Sequence, residues 1–187
     1  MKNNQNGRSM VEMLGVLAII GVLSAGGLAG YSKAMFKHKL NNTIDQLTML
    51  VTNIRTMYGT QDNYTNLSAK QAISLGIIPA TMKNGASALL NPFKGAVAIE
   101  PFKADKDGKL DASGFKVTYS GLPREACIAI ATADWGSGAG SGFIGVTAGG
   151  KSTAATVGVA REGEPLQVSE AIDGCTSDQS SVELRFY

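Results

Sequence analysis

The chain has one histidine, two cysteines and one tryptophan among 187 residues, and each scarcity closes off a class of chemistry. With His38 alone, and with its two thiols far apart at Cys127 and Cys175, it offers no Ser/His/Asp or Cys/His constellation and no adequate set of zinc ligands. Charge is sparse and balanced, 17 basic against 15 acidic side chains, and no basic run advertises nucleic-acid binding. Proline is also scarce, five in all with none before Pro79, so nothing upstream of that position forces a helix to break.

The largest gap is in charge. From Met13 to Ser32 there is none, a run of about 20 residues whose helical length, at ~1.5 Å per residue, matches a hydrocarbon core of ~30 Å. Glu12 stands at the edge of this run, where an acidic side chain is costly, by roughly 2.5 to 3.5 kcal/mol at mid-bilayer and less toward the interface. Such a residue is a functional candidate in search of a partner. If the chain is cut after Gly7, Arg8 becomes the first residue and Glu12 the fifth, one helical turn from a new α-amino cation. The first-turn N–H groups and the helix dipole favour a carboxylate there. Between chains, Glu12 in lipid could meet the ammonium of an incoming subunit and remove an unpaired-charge penalty of several kcal/mol.

Asn6-Gly7-Arg8-Ser9-Met10-Val11-Glu12-Met13-Leu14, followed by the apolar run Gly15 to Ser24, resembles the processing signal and helix of type IV prepilins. The resemblance implies a short leader removed at Gly7 by a prepilin peptidase, methylation of the new amine, and apolar helices packed into a filament core. Two other readings compete. An ordinary secretory signal would use Lys2 and Arg8 as its basic region and Ser24 to Gly30 as its cleavage zone, but such signals run ~7 to 15 apolar residues and have no use for Glu12. A plain single-span anchor is the other. Its orientation is not set by charge, since Lys2 and Arg8 on one flank face Lys33, Lys37 and Lys39 on the other.

Beyond the apolar run, Phe36, Leu40, Ile44, Leu47, Leu50, Val51, Ile54, Met57 and Tyr58 recur at steps of three and four, one face of a helix. The spacing predicts one helix from about Ser9 to Tyr58, capped by Gly59, apolar all round in its first half and amphipathic in its second. Gly26 and Gly30 form a G-x-x-x-G pair, which fits close helix packing in a membrane or plain flexibility equally well.

The remaining residues suffice for one compact domain. Cys127 and Cys175, both outside the apolar run, read as a disulfide in an exported domain, the alternative being two buried thiols. Such a link would be worth roughly 4 kcal/mol in the chain-entropy model. Thr60 to Asn66 is expected to be a polar loop, Leu67 to Leu75 a short helix with Ser68 near its start, and Asn91-Pro92 a turn. Strands are expected at Ala96 to Phe102, Phe115 to Tyr119 and Val182 to Phe186, with a helix from Pro123 through Cys127 to about Thr132. The order Asn91-Pro92-Phe93-Lys94-Gly95, Phe115 to Pro123, a Cys-bearing helix, then a second Cys before a terminal strand is similar to the head of type IVb pilins. In that family a disulfide bounds the C-terminal region, which forms much of the exposed filament surface.

Gly145 to Ser152 satisfies G-x-x-x-x-G-K-S, and Gly140, Gly142 and Gly145 fit G-x-G-x-x-G. A phosphate-cradling loop needs a strand before it and a helix N-terminus after it, whereas Thr153 to Val159 favours strand or loop. The Gly-rich stretch Trp135 to Lys151 is therefore expected to form turns and an exposed loop between short strands. Asp105, Asp107 and Asp111, interleaved with lysines, read as a solvated turn rather than a Ca²⁺ loop. His38, between Lys37 and Lys39, reads as solvated or subunit-facing.

The expectation is an α+β protein: leader 1–7, membrane-spanning half-helix 8–32, amphipathic half-helix 33–59, and head 60–187, with the helix packed on a small, mainly antiparallel sheet. The resemblance implies a structural subunit of a type IV pilus, made in the inner membrane and carried into an extracellular filament. Its implied partners are copies of itself, a prepilin peptidase, the inner-membrane assembly machinery, the bilayer and minor pilins. No enzyme activity and no cofactor is expected. A minor pilin or a type II secretion pseudopilin is the alternative. A membrane-anchored nucleotide-binding protein using 145–152 is a remote one.

Overall fold

The computed structural model describes residues 10–61, 63–102, 113–136, 142–149, 151–152 and 163–187. Two compact units divide the chain, the first ending at Lys39 and the second running from Leu40 to Tyr187.

One helix, α1 (Met10–Tyr58), runs through the boundary, as expected of a proline-free stretch. From Met10 to Met35 it is exposed on all sides. Its part in the second unit buries Thr43, Leu47, Leu50, Val51, Ile54 and Tyr58, whereas Met57, assigned to the same face by its spacing, is 42% exposed. On the outward side Thr48, Thr52 and Thr56 each donate a hydroxyl to the carbonyl four residues earlier, at 2.8–2.9 Å. The helix stops at Tyr58, but Gly59 is no left-handed cap: its φ is not positive, and Gln61 N–H closes the turn onto the Tyr58 carbonyl at 2.8 Å.

The second unit holds a seven-stranded antiparallel sheet: β1 (Lys83–Asn84), β2 (Ala88–Leu90), β3 (Ala96–Phe102), β4 (Gly114–Leu122), β5 (Phe143–Ala148), β6 (Lys151–Ser152) and β7 (Ser180–Phe186). The spatial order is β1-β2-β3-β4-β7-β5-β6, so the last strand in the chain lies between β4 and β5. One sheet face is apolar: Phe115 lies opposite Phe186, Val117 opposite Leu184 and Tyr119 opposite Val182, all buried. Alternation puts charge on the other face. There Lys116 reaches Glu100 at 3.0 Å and Glu183 at 3.4 Å, and Arg185 reaches Glu183 at 2.7 Å. Lys116 and Arg185, opposite one another in register, thereby share the Glu183 carboxylate, and Glu100 pairs with Lys116 from the neighbouring strand.

Three short helices complete the unit: α2 (Ala69–Ser74), α3 (Arg124–Ala131) and α4 (Val168–Gly174). The Ser68 hydroxyl caps α2 through Gln71 N–H, and Pro123 sits at the N-cap of α3. In α4 the Gln167 and Glu170 side chains form a reciprocal capping box. Within 135–151, where turns and an exposed loop between short strands are expected, the six-residue β5 is almost wholly buried.

Candidate assembly helix and disulfide-bounded head

Glu12 lies in the first turn of α1, exposed and followed by Met13, Gly15, Val16 and Ile19. Along the same stretch Val11 is 76% exposed, Leu17 62% and Val22 75%, on every side of the helix. Water does not tolerate such a surface on a stable monomer, so lipid or other apolar helices must cover it. The helix qualifies by length and composition to cross a membrane. Gly7 and Arg8, the expected scissile pair, lie outside the described residues.

Cys127 and Cys175 are joined, with Cα atoms 5.9 Å apart, and both are fully buried. Cys127 comes from α3, and Cys175 follows the last residue of α4, so the link ties the two helices together. The β5–β6 turn packs against the same point. A Cβ at Gly149, whose φ is +52°, would collide with the Gly174 carbonyl, and one at Gly174 with the Ala148 carbonyl. Glycine at both positions permits this close approach. Further bonds fix the region: Leu166 N–H to the Ala131 carbonyl at 3.0 Å, Gly163 N–H to the Ile144 carbonyl at 2.8 Å, and the Trp135 indole N–H to the Ile130 carbonyl at 2.9 Å.

Near β2 a second fixed point is built around Asn91, which is 4% exposed. Its Oδ1 accepts from Phe93 N–H at 2.9 Å and Gly95 N–H at 3.0 Å, and its Nδ2 donates to the Ser120 carbonyl at 2.8 Å. Lys94 takes a left-handed φ of 68° inside this turn, and a Cβ on Gly95 would strike the Ser120 carbonyl. The Asn-Pro dipeptide signals a turn, but nothing local reveals that its amide also ties the turn to β4.

The glycine-rich motif is not a phosphate cradle. Gly145 lies in β5 opposite Arg185, and Lys151 opens β6 opposite Ala148, within a hairpin rather than at a helix N-terminus. Lys151 instead approaches Asp173 at 4.0 Å. Gly142 packs onto the Arg55 guanidinium. Gly140, Thr153 to Val159, and Asp105, Asp107 and Asp111 lie outside the described residues, and His38 is exposed on α1. Burial raises the Tyr119 hydroxyl above its ordinary pKa, and the hydrogen bond that the Lys116 ammonium donates to Glu100 does the same for Lys116.

The bundlin family model matches residues 33–184, from the end of the apolar run to the last strand. The chain belongs to the bundlin family. It is 25% identical over 191 residues to the major structural subunit of bundle-forming pilus of Escherichia coli O127:H6 (strain E2348/69), spanning all of this chain and 95% of that one. The corresponding subunit of Escherichia coli O111:H- is 23% identical over 189 residues, with the same coverage. Among solved structures, a type IVb pilin from Salmonella typhi superposes with a TM-score of 0.54 at 21% identity, over 79% of this chain and 97% of that one. TcpA, a type IV pilin from Vibrio cholerae El Tor biotype, gives 0.51 at 19% identity, over 80% of this chain and 99% of that one. The bundlin fold seen here is therefore a type IV pilin fold: a long apolar N-terminal helix with an antiparallel sheet.

Proposed function

We propose that this bundlin-family chain is a structural subunit of an extracellular type IV pilus, assembled from copies of itself through its N-terminal helix. The observation that carries this is a helix start, Met10 to Tyr31, with its large apolar side chains exposed, in a chain whose remainder is a pilin head. A prepilin peptidase would cut between Gly7 and Arg8, releasing leader 1–7 from a precursor held in the inner membrane by 8–32. Segment 33–59 would then lead into head 60–187. The exposed first-turn position of Glu12 supports pairing with a neighbour's terminal amine, because a lone carboxylate in an apolar core carries a penalty that a paired one escapes. Inner-membrane machinery would drive insertion of each subunit, and minor pilins could share the filament. The role is structural rather than catalytic.

Intact mass and N-terminal fragmentation of protein sheared from its native cells test the reading. A chain beginning at Arg8, lighter by two hydrogens for the closed disulfide and heavier by one methyl, is the expected result. A chain beginning between Ser24 and Tyr31 would mean a secreted soluble protein and would overturn it.

A further inference from the structure

Of the five tyrosines, two lie ring on ring. Tyr58 closes α1 and Tyr64 follows in the polar loop, their ring centroids 5.4 Å apart and their planes inclined by 26°. The other three are differently placed. Tyr31 is 66% exposed on the apolar stretch of α1, Tyr119 is fully buried in the sheet between Val97 and Val182, and Tyr187 follows β7.

The loop is built to bring Tyr64 back onto the helix. The Asn63 side-chain oxygen accepts from the Thr65 N–H at 3.1 Å and from the Thr65 hydroxyl at 2.7 Å, a local turn of the kind short polar side chains support. Leu67 N–H then closes onto the Tyr64 carbonyl at 2.9 Å. Phe115 of β4 meets the Tyr64 ring at 5.0 Å, so that ring rests on a helix residue and a strand residue at once. The stack also stands where α1 lacks a left-handed glycine stop, and the last turn is held by the Gln61 N–H bond to the Tyr58 carbonyl and by the Tyr64 ring.

Burial raises both hydroxyls above their ordinary pKa, with the Arg55 charge working the other way on Tyr64. At neutral pH both are phenols, which lose a proton together with an electron when they are oxidised. Tyr58 is 5% exposed, whereas the half-buried Tyr64 gives that proton a way to water. Phe115 has no hydroxyl and cannot hold a radical in the same way.

We infer that Tyr58 and Tyr64 form an oxidative coupling site, which a peroxide-class oxidant converts into a dityrosine staple between the end of α1 and the loop after it. Each ring gives up one electron and one proton. The two radicals combine through the ring carbons beside their oxygens, and the hydrogen on each of those carbons moves to the neighbouring oxygen and restores both phenols. One peroxide takes the two electrons and two protons and leaves as two waters. Met57, 42% exposed beside the pair, competes for the same oxidant, but as a sulfoxide it gains an oxygen where the coupled pair loses two hydrogens. The site does not depend on the filament reading.

The test treats the full-length chain, dilute in detergent, with hydrogen peroxide and a haem peroxidase. Trypsin, cutting after Arg55 and Lys70, releases residues 56–70 as one peptide that holds both tyrosines. From the monomer this peptide should be lighter by two hydrogens, show dityrosine fluorescence, and keep its two halves joined after cleavage before Asp62. Tyr58→Phe and Tyr64→Phe should each lower that product at least tenfold, whereas Tyr31→Phe should leave it unchanged. In the linked chain, amide exchange in the last turn of α1 should slow at least tenfold. Unlinked 56–70 peptide from wild-type chains whose exposed tyrosines have coupled chain to chain would overturn the site, as would a link that survives substitution of either ring. A linked chain whose last turn exchanges as fast as before would overturn the staple.

Discussion

Removal of the Cys127–Cys175 link gives the sharpest test of how the head is held together. The bond closes a 48-residue separation, and the loss of loop-closure entropy from the unfolded chain is worth about 4 kcal/mol at 25 °C. Unfolding entropy of ~2.1 cal/mol/K per residue over the unit Leu40 to Tyr187, about 150 residues, gives a slope near 0.3 kcal/mol/K. Their quotient is a fall in Tm of about 13 °C for the Cys127→Ala, Cys175→Ala double variant. Both sulfurs are fully buried, so lost packing adds to that figure. The assay is thermal unfolding of the full chain in detergent, followed by tryptophan fluorescence. Trp135 is the only tryptophan and is hydrogen-bonded to Ile130 in α3, so its emission reports the linked region itself. A fall below about 4 °C would refute the reasoning, because the unfolded chain would then be constrained by something other than the crosslink.

Other outcomes follow from features on the same scaffold. Asn91→Ala removes three hydrogen bonds at a nearly buried site and should cost about 3 kcal/mol in denaturant unfolding; a loss under about 1 kcal/mol would mean that the turn holds without its side chain. Gly95→Ala should destabilise the head by at least about 2 kcal/mol through collision with the Ser120 carbonyl, measured the same way. Lys116 and Tyr119 both hold their protons more tightly in the fold than the ordinary values of 10.5 and 10.0. The stability each contributes is therefore complete below about pH 10 and is lost as pH rises past it, so a denaturation midpoint flat from pH 7 to 9 should fall above pH 10. Glu12→Ala should leave membrane insertion and leader removal intact yet abolish filaments on the cell surface, and normal assembly would sink the charge-pairing mechanism.

Much of this architecture is legible in the chain because strong local signals agree with it. Ala96 to Phe102 is expected as a strand and forms β3 over the same residues, and Ser68 and Pro123 start the helices they are expected to start. β5 stays hidden because its apolar residues Phe143, Ile144 and Val146 are interleaved with Gly145 and Thr147, in a segment whose composition suggests loop. What makes it a strand is pairing with β7, more than thirty positions away in the chain. α4 had a readable signal, the Gln167-x-x-Glu170 capping box, which the short apolar content around it obscures. The strands β1 and β2 are two and three residues long, below the length at which alternation can be recognised. At the candidate site, the charge pattern around Glu12 is a local property and therefore readable. The place of β7 between β4 and β5 depends on strand order, which no local window contains.

The central place of β7 also bears on when the head can fold. Until Ser180 to Phe186 has emerged, β4 and β5 lack their shared partner, the two halves of the sheet have open flanks, and Cys127 waits for a thiol encoded 48 residues later. A chain still crossing a membrane would therefore remain unlocked for nearly its whole passage and set abruptly at the end. Truncation shortly before this strand would leave an unfinished sheet with two adhesive margins, a natural substrate for quality-control proteases, rather than a slightly shortened pilin.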